Sequence, residues 1–263
     1  MNFLTIILLV ILGVCSGGMT SLIGASAVMI VIPALSIGMN MTIQQTIGTS
    51  LMVDVIGSLA VSLSYFKHGN IDIKRGFWIA LGSVAGAQAG ALFASEVPEV
   101  GLGSSFGIFL AFFGLVMLIR GAKIAAKEPS PEALQKVQPK WQRILISVVI
   151  GFALGIVSGL LGAGGGINFL IVLLFVVKLP LHKAIGTSTF IMAITALSGA
   201  IGHGARGNID LTVGLIVGVG TIIGGLAGAR YANRVSEKIL GRVTGVIFIG
   251  LGIAMTAIIL IKR

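Results

Sequence analysis

The chain alternates between long apolar stretches and short polar connections. Eight apolar segments can be delimited, at about 3–38, 45–66, 76–95, 102–119, 142–177, 184–205, 211–229 and 241–261. A membrane-spanning helix needs about 20 apolar residues, and a helix satisfies its own backbone hydrogen bonds where no water is present. The pattern therefore predicts an all-α polytopic membrane protein.

Two of these segments, 3–38 and 142–177, are too long for a single span and are interrupted by glycine. The second contains Gly162-Ala163-Gly164-Gly165-Gly166, and the first contains Gly24-Ala25-Ser26. Each glycine costs about 1 kcal/mol relative to alanine in a helix, and backbone groups freed by a break find no water in lipid. We expect a helix to end at each run, where the backbone either lines a cavity or is covered by protein as a packing hinge.

The second half of the chain repeats the first at a constant offset of 138 residues. The matching blocks are Ile47-Gly48-Thr49-Ser50 with Ile185-Gly186-Thr187-Ser188, and Gly69-Asn70-Ile71-Asp72 with Gly207-Asn208-Ile209-Asp210. Between 47–94 and 185–232, 17 of 48 positions are identical without a gap. Self-similarity at a fixed offset predicts a duplicated transporter or channel fold.

The distribution of Lys and Arg favours a topology in which both long segments fold back. Eight single crossings with the N-terminus inside would put 12 of the 18 basic residues inside, whereas fold-back of 3–38 and 142–177, with the N-terminus outside, puts 15 inside. Basic residues are enriched in cytoplasmic loops, so the second topology is preferred.

This topology gives each half an odd number of arms, so the halves are predicted to be inverted. The predicted fold is two inverted repeats, each with a glycine-broken hairpin or re-entrant first segment followed by three transmembrane helices. Repeat 1 is expected at 1–121, a cytoplasmic linker at 122–141 and repeat 2 at 142–263.

Composition and charge narrow the class of protein further. The chain is 56% hydrophobic and 10% charged, whereas soluble domains carry about 25% charged residues. Its net charge of +10 comes from short basic clusters between apolar segments. That pattern indicates membrane topology and predicts no nucleic-acid partner. The first segment lacks the basic start and cleavage site of a signal peptide, so we interpret it as a span in the cell membrane (inner or plasma), with the lipid bilayer as its partner.

Two kinds of feature are candidates for substrate binding. The Gly-Thr-Ser blocks offer hydroxyls and N–H groups near a helix start, which bind an anion without a buried cation, although small residues also serve helix packing. The breaks offer unwound backbone and half-helix ends, and Asn168 follows the second break as a polar group. The predicted substrate-binding residues are Gly48, Thr49, Ser50, Gly186, Thr187, Ser188, Gly24, Ser26, Gly162, Gly164, Gly165, Gly166 and Asn168.

Asp54 is the one acid inside a predicted span, and its counterpart in the repeat is Met192. An intramembrane acid is a functional candidate, and we interpret Asp54 either as a proton-coupling residue or as part of a polar pocket. Gln88 is also unmatched in the repeat, opposite Leu226, and is expected to make an interhelical hydrogen bond.

Several other repeated residues are expected to be structural. The Asn-Ile-Asp sequences are predicted to cap helices, and the spaced glycines are predicted to be packing faces between helices. No cluster of His, Cys, Asp and Glu has metal-ligand spacing, and no nucleophile–base pair is found. We therefore predict no metal, cofactor or catalytic residue, and do not expect an enzyme. The spaced glycines that are predicted to pack between helices are Gly82, Gly86 and Gly90, with Gly220, Gly224 and Gly228.

The order of these motifs resembles that of the TauE/SafE family, the sulfite and organosulfonate exporters, also called the toluene sulfonate uptake permease family. A glycine-rich break, Gly-Thr-Ser, Gly-Asn-Ile-Asp and a glycine-spaced helix occur twice, and the second copy matches best, at 158–166 and 185–210. The first copy departs from the family pattern at 23–27, where Ala25, Ser26 and Ala27 follow Gly24 in place of a glycine cluster.

The resemblance implies a multi-pass exporter of small sulfur-containing anions such as sulfite or organosulfonates, bound near the midplane between the repeats. Two alternatives stay open from the residues alone. A cation or metal transporter needs acids or histidines facing the cavity, and Asp54 alone qualifies. A non-transporting membrane assembly subunit would bind no small molecule. No oligomeric state is predicted.

Overall fold

A computed structural model describes residues 2–39, 41–94, 140–161 and 165–235. Within these ranges the chain forms α-helices joined by short connections and contains no strand. The helices are α1 Phe3–Ile23, α2 Val28–Gly38, α3 Ile43–Lys67, α4 Ile73–Ala94, α5 Lys140–Leu161, α6 Gly166–Ile171 with a π-helical continuation at Val172–Val176, α7 Leu181–Gly204 and α8 Leu211–Ala232. The spans predicted at 102–119 and 241–261 lie outside the described residues.

Five of these helices are long and apolar enough to cross a membrane, namely α1, α3, α4 (over Ile73–Phe93), α7 and α8. Their outer surfaces carry exposed Leu, Ile, Val and Phe side chains, as expected of helices surrounded by lipid. The prediction of an all-helical polytopic membrane protein is confirmed for the described part of the chain.

Residues 3–38 form two helices, as the glycine pattern predicted. The first helix ends at Ile23 because Gly24 adopts a left-handed conformation with φ 63, which glycine enters at little cost. The N–H of Gly24 donates to the carbonyl of Thr20 at 2.9 Å. Leu35 near the end of α2 and Leu9 near the start of α1 belong to one buried cluster, so the chain reverses at this break.

The first helix of each half packs against the last described helix of the other half. Gly13 and Gly17 of α1 lie against the backbone of α8 at Val217 and Thr221. Likewise, Gly82 and the glycines that follow it on α4 lie against the backbone of α5. Absent side chains let two backbones approach closely, as in other membrane helix pairs. The predicted packing role of the spaced glycines is confirmed at Gly82, Gly86, Gly90, Gly220, Gly224 and Gly228.

Helices α3 and α7 form the centre, and they run in opposite directions. Gly48 near the start of α3 contacts His203 near the end of α7, and Gly186 near the start of α7 contacts Tyr65 near the end of α3. Most side chains in the middle of both helices are buried. The centre is therefore made by one long helix from each half of the chain.

The connections after α3 and α7 hold the helices that follow them. Asp72 accepts a hydrogen bond from the N–H of Arg75 at 3.1 Å, and Asp210 accepts one from the N–H of Val213 at 3.0 Å. These are N-cap bonds, in which a side-chain oxygen satisfies a free N–H of the first turn. The capping role predicted for both Asn-Ile-Asp sequences is confirmed.

Charged side chains gather at one end of the helix assembly. Contacts such as His182 Nε2 to the Ala232 carbonyl at 2.9 Å bring together the ends of α3 and α8 and the starts of α4 and α7. Nine of the ten Lys and Arg residues of the described chain belong to this end, here called the basic end, and Arg206 belongs to the other. The nine are Lys67, Lys74, Arg75, Lys140, Arg143, Lys178, Lys183, Arg230 and Arg234.

Candidate functional site

The two helix breaks meet at the centre of the assembly. A Cβ placed on Gly166 would lie 3.1 Å from the backbone N of Ser26 and 2.7 Å from Met192 Sδ, and it would overlap the Gly24 carbonyl. Asp54 and Met192 each lie about halfway along α3 and α7. The breaks therefore face each other midway through the two central helices, and glycine is needed at 166 because there is no space for a side chain.

The first break also contacts the second Gly-Thr-Ser block. A Cβ on Gly24 would lie 2.7 Å from Ser188 Oγ and 3.6 Å from the Cα of Ile185. Ser188 Oγ donates to the carbonyl of Ile185 at 2.9 Å, so its hydroxyl oxygen stays open to a further donor. The structure thus brings Gly24, Ser26, Gly166 and Ser188 together, four of the residues predicted to bind substrate.

Gly and Thr of each block hold the opposite half of the chain. Thr187 Oγ1 accepts from the N–H of Asp72 at 2.9 Å, and Thr49 Oγ1 accepts from the N–H of Asp210 at 2.9 Å. Gly48 packs against the Asn208 carbonyl, and Gly186 against the Asn70 carbonyl. These four block residues therefore serve as anchors between halves, which corresponds to the packing alternative.

The block N–H groups are not those of a helix start. Helix α3 begins at Ile43 and α7 at Leu181, so residues 48–50 and 186–188 lie beyond the first turn. Only the first four N–H groups of a helix lack an internal acceptor. The expectation that free N–H groups of the blocks contribute to an anion site is therefore wrong. The hydroxyls of the blocks remain as its candidate groups.

Two of the predicted site residues carry buried polar atoms without a hydrogen-bond partner. Ser50 is fully buried and Asn168 is 4% exposed, and within the described chain Ser50 Oγ makes no hydrogen bond and Asn168 Oδ1 accepts none. Buried polar groups in proteins are nearly always paired, and an unpaired one calls for an unseen partner. A bound ligand is one way in which such atoms are satisfied.

The second break is only partly described. Gly165 is the N-cap residue of α6. It has φ 77, in the left-handed region that favours glycine. Gly162 and Gly164, which the sequence also assigned to the site, lie outside the described residues, so their place in the site stays a prediction.

Asp54 bonds to the first break. Ser26 Oγ donates to Asp54 Oδ2, the Ala27 N–H donates to Asp54 Oδ1 at 2.7 Å, and the Val28 N–H donates to Ser26 Oγ at 3.2 Å. Asp54 is 1% exposed and satisfies the start of α2 from a different helix. Its candidate role in proton coupling stays a prediction.

Sequence reasoning did not assign a role to the aromatic side chain that packs against the glycine of each Gly-Thr-Ser block. Tyr65 lies against Gly186 and donates through its hydroxyl to the Ser21 carbonyl at 2.7 Å. His203 takes the equivalent position over Gly48, with Nε2 3.4 Å from the Gly159 carbonyl. The signal was present, since both the rings and their acceptors are separated by the offset of 138.

The polar contacts of Gln88 agree with expectation. Its Nε2 donates to the Ser198 carbonyl at 2.6 Å, which joins α4 to α7 and confirms the predicted interhelical bond. Among the described residues no group of three or more His, Cys, Asp or Glu is placed to hold a metal ion. The described residues also contain an ion pair between Arg75 and Asp72, with 3.5 Å between the nitrogen and the oxygen. It lies at the basic end, away from the breaks.

Comparison with known proteins gives one family over nearly the whole chain. The family model described as "Sulfite exporter TauE/SafE" matches residues 9–255. No solved structure matches the chain significantly. The match spans both halves of the repeat, including both breaks and both Gly-Thr-Ser blocks.

Curated relatives from bacteria and an archaeon cover most of the chain. The "Probable membrane transporter protein YunE" of Bacillus subtilis (strain 168) is 25% identical over 95% of this chain and 96% of its own. The "Probable membrane transporter protein ORF9" of Sinorhizobium sp is 30% identical over 87% and 84%. The "Probable membrane transporter protein MJ0441" of Methanocaldococcus jannaschii is 26% identical over 88% of each.

Proposed function

Because the chain belongs to the sulfite exporter TauE/SafE family of membrane transporters, we propose that it exports small sulfur-containing anions such as sulfite or organosulfonates. The family description supports the substrate class, and the relatives named as membrane transporters support transport. The observation that carries the proposal is the meeting of the two helix breaks beside buried, unpaired polar atoms.

The proposed substrate site lies beside the contact between the two breaks, because Gly166 and the first break leave no space between them. It is built from Gly24, Ser26 and Ser188 on one side and Gly166 and Asn168 on the other, with Ser50 as a further hydroxyl. Contact of Gly166 with the first break supports this position, and so does the unpaired Ser50 Oγ, which has a hydrogen to donate. Asn168 would bind an anion through its amide NH2, because Oδ1 only accepts. Dipoles and hydroxyls hold an anion weakly enough to release it, whereas a buried cation would retain it.

The two halves are proposed to be inverted repeats whose pseudo-two-fold axis passes near this site. Reciprocal contacts support this arrangement, because Thr49 to Asp210 and Thr187 to Asp72 are the same bond with the halves exchanged. The opposite directions of α3 and α7 support inversion. In transporters built this way, the substrate lies at the interface of the repeats, near the midplane.

The basic end is proposed to face the cytoplasm. Nine of the ten described Lys and Arg residues belong to it, and cytoplasmic loops are enriched in these residues. With this orientation in a cell membrane, outward movement of one negative charge is favoured by about 2.3 kcal/mol per 100 mV. The membrane potential alone can therefore drive export of an anion.

Serine substitutions on the central helices test the proposed site. Ser50→Ala should weaken binding of sulfite or methanesulfonate to the purified protein by about tenfold to a hundredfold, the worth of one hydrogen bond to a charged group. Ser188→Ala should weaken it less, because the Ser188 hydroxyl must first leave the Ile185 carbonyl before it can donate to an anion. Ser62→Ala is the matched control, because Ser62 is buried on α3 and donates to the Leu59 carbonyl at 3.1 Å, away from the breaks.

Different outcomes test the proposed site and the proposed substrate class separately. Wild-type affinity in both variants would contradict the site. Absence of binding to any of a panel of sulfur oxyanions and sulfonates would contradict the substrate class and favour a non-transporting subunit. Binding of a divalent cation in place of the anions would favour the cation transporter.

A further inference from the structure

Asp54 uses donors that an incoming anion would need. The Ser26 hydroxyl and the Ala27 N–H both donate to its carboxylate, and both lie at the start of α2. A helix start attracts anions because its N–H groups are free and its dipole is positive there. In the first half of the chain, a carboxylate of the protein itself already occupies this position.

No cationic group of the described chain neutralises Asp54. Among these residues, Asp54 forms no ion pair within 4 Å. The ion pair that they contain is that of Arg75 with Asp72. The helices packed against α3 are α1, α2, α7 and α8, and α2 carries no titratable side chain. Cys15 is the titratable residue of α1, and it is exposed. The other titratable residues of α3, α7 and α8 are Tyr65, Lys67, His182, Lys183, His203, Arg230 and Tyr231, and Arg206 follows just beyond α7.

These groups stand away from the carboxylate or are engaged elsewhere. Tyr65 donates to the Ser21 carbonyl, His203 contacts the Gly159 carbonyl, and Arg206 donates to the Gly202 carbonyl. Lys67, Lys183 and Arg230 lie near helix ends, whereas Asp54 lies midway along α3. Within the described part of the chain, the charge of Asp54 is thus balanced by hydrogen bonds and not by a cation.

The second half of the chain lacks this carboxylate. Met192 occupies the equivalent position on α7, and its sulfur lies beside Gly166 at the second break. The break at 165–166 is formed by left-handed glycine with no side-chain cap bond. An anion held between the breaks therefore meets a negative charge from the first half only.

We infer that Asp54 decides whether the first break accepts a substrate anion, through uptake of one proton. This inference rests on the proposed function. When Asp54 is ionised, it holds the Ser26 hydroxyl hydrogen and repels a second negative charge in a site with little water. When a proton adds to Oδ2, the new O–H donates to Ser26 Oγ, and the Ser26 hydroxyl hydrogen is released toward the site.

The bond inventory of Ser26 permits this exchange. A serine hydroxyl has one donor and two acceptor lone pairs. Ser26 Oγ already accepts from the Val28 N–H at 3.2 Å, accepts from protonated Asp54 through its second lone pair, and donates to the anion. Asp54 Oδ1 keeps its bond from the Ala27 N–H, so the start of α2 is satisfied in both states.

The inference fixes the sign of the pH dependence. Anion affinity rises as pH falls, and each bound anion takes up about one proton, because binding is linked to the protonated form. Above the titration of Asp54, affinity falls by up to about tenfold per pH unit.

Methanesulfonate binding to the purified full chain tests the inference. A sulfonate keeps its charge at mildly acidic and neutral pH, so pH acts on the protein and not on the ligand. Calorimetric titration at about pH 5.5 and about pH 7.5, in two buffers of different ionisation enthalpy, gives affinity and proton uptake together. We expect the wild type to bind about tenfold or more tightly at the lower pH, with proton uptake that is larger at the higher pH, where it approaches one, than at the lower pH.

Three variants locate the effect. Asp54→Asn should bind with the same affinity at both pH values and without proton uptake. Ser26→Ala should show a smaller gain in affinity at low pH than the wild type, because protonation of Asp54 still removes the charge repulsion but no hydroxyl is released. Ser58→Ala is the matched control and should keep the wild-type profile, since Ser58 Oγ bonds to the backbone carbonyl of Asp54 and not to its carboxylate.

The outcomes distinguish this inference from the proposed function. Methanesulfonate binding that persists in the wild type without pH dependence or proton uptake would overturn the inference and leave anion transport standing. An Asp54→Asn variant with the wild-type pH profile would do the same. If no protein binds a sulfonate or sulfite at either pH, the proposed function fails first. Should Asp54→Asn not fold, the wild-type proton uptake and Ser26→Ala decide the matter.

Discussion

Two adjacent glycines of α1 give a sharp test of the crossed packing between the halves. A Cβ on Gly17 would lie 2.7 Å from the Gly225 N and 2.9 Å from the Thr221 carbonyl carbon, and it would overlap the Thr221 carbonyl oxygen. A Cβ on Gly18 would have no heavy atom within 4 Å. We therefore predict that Gly17→Ala destabilises the protein and that Gly18→Ala does not.

The difference in unfolding free energy between the two variants can be worked out because their gain in helix propensity is the same and cancels. Both substitutions gain about 1 kcal/mol of helix propensity, because alanine replaces glycine in the same helix. Only Gly17→Ala overpacks, and overpacking costs about 1–3 kcal/mol. The atoms it meets are backbone atoms of α8, which move only if the two helices separate. The free energy of unfolding of the two variants should thus differ by about 1–3 kcal/mol.

Unfolding in mixed micelles, followed by circular dichroism as the denaturing detergent fraction rises, measures this difference. The wild type is measured beside both variants to give the propensity gain from Gly18→Ala. Equal unfolding midpoints for the two variants would refute the contact between this face of α1 and α8, and with it the crossed packing of the halves.

Two further predictions concern bonds between buried groups. Thr49→Val and Thr187→Val keep side-chain shape but remove the acceptors of the Asp210 and Asp72 N–H groups. Each should lower the free energy of unfolding by about 1 kcal/mol, and the double variant should show the sum within about 0.5 kcal/mol, because the bonds lie at opposite ends of α3 and α7. An effect in one variant alone would argue against reciprocal anchoring. Tyr65→Phe removes the donor to the Ser21 carbonyl and should also cost about 1 kcal/mol, measured by the same unfolding; unchanged stability would show that the hydroxyl contributes nothing.

The hydropathy pattern and the offset of 138 were enough to predict the described helices and the interruption at Gly24. Glycine runs in apolar segments have few physical outcomes in lipid, so the ends of α1 at Ile23 and of α2 at Gly38 follow closely from composition. The caps at Asp72 and Asp210 were likewise predictable, since capping depends on residues close in sequence.

Pairing between distant helices was not predictable from one sequence. Spaced glycines indicate that a helix has a packing face, but they do not identify the partner, and nothing in the sequence assigns α1 to α8. The same limit applies to the site. Thr49 and Thr187 are short polar residues that suit either a ligand or a neighbouring backbone, and the choice depends on where Asp210 and Asp72 lie in space.

The bond from Ser26 to Asp54 shows the limit most clearly. The two residues are 28 positions apart, on different helices, and each was noticed for a separate reason. Only their proximity turns an intramembrane acid and an irregular break into one hydrogen-bonded unit.

The crossed packing has a consequence for biosynthesis. Gly13 and Gly17 emerge early from the ribosome, but their partners on α8 are made about 200 residues later, roughly 10–40 s at usual elongation rates. During that interval the glycine face of α1 has only lipid or the insertion machinery beside it. Helix α1 is thus inserted long before it reaches its final neighbour, and a chain that stops before α8 leaves the glycine face of α1 without its partner.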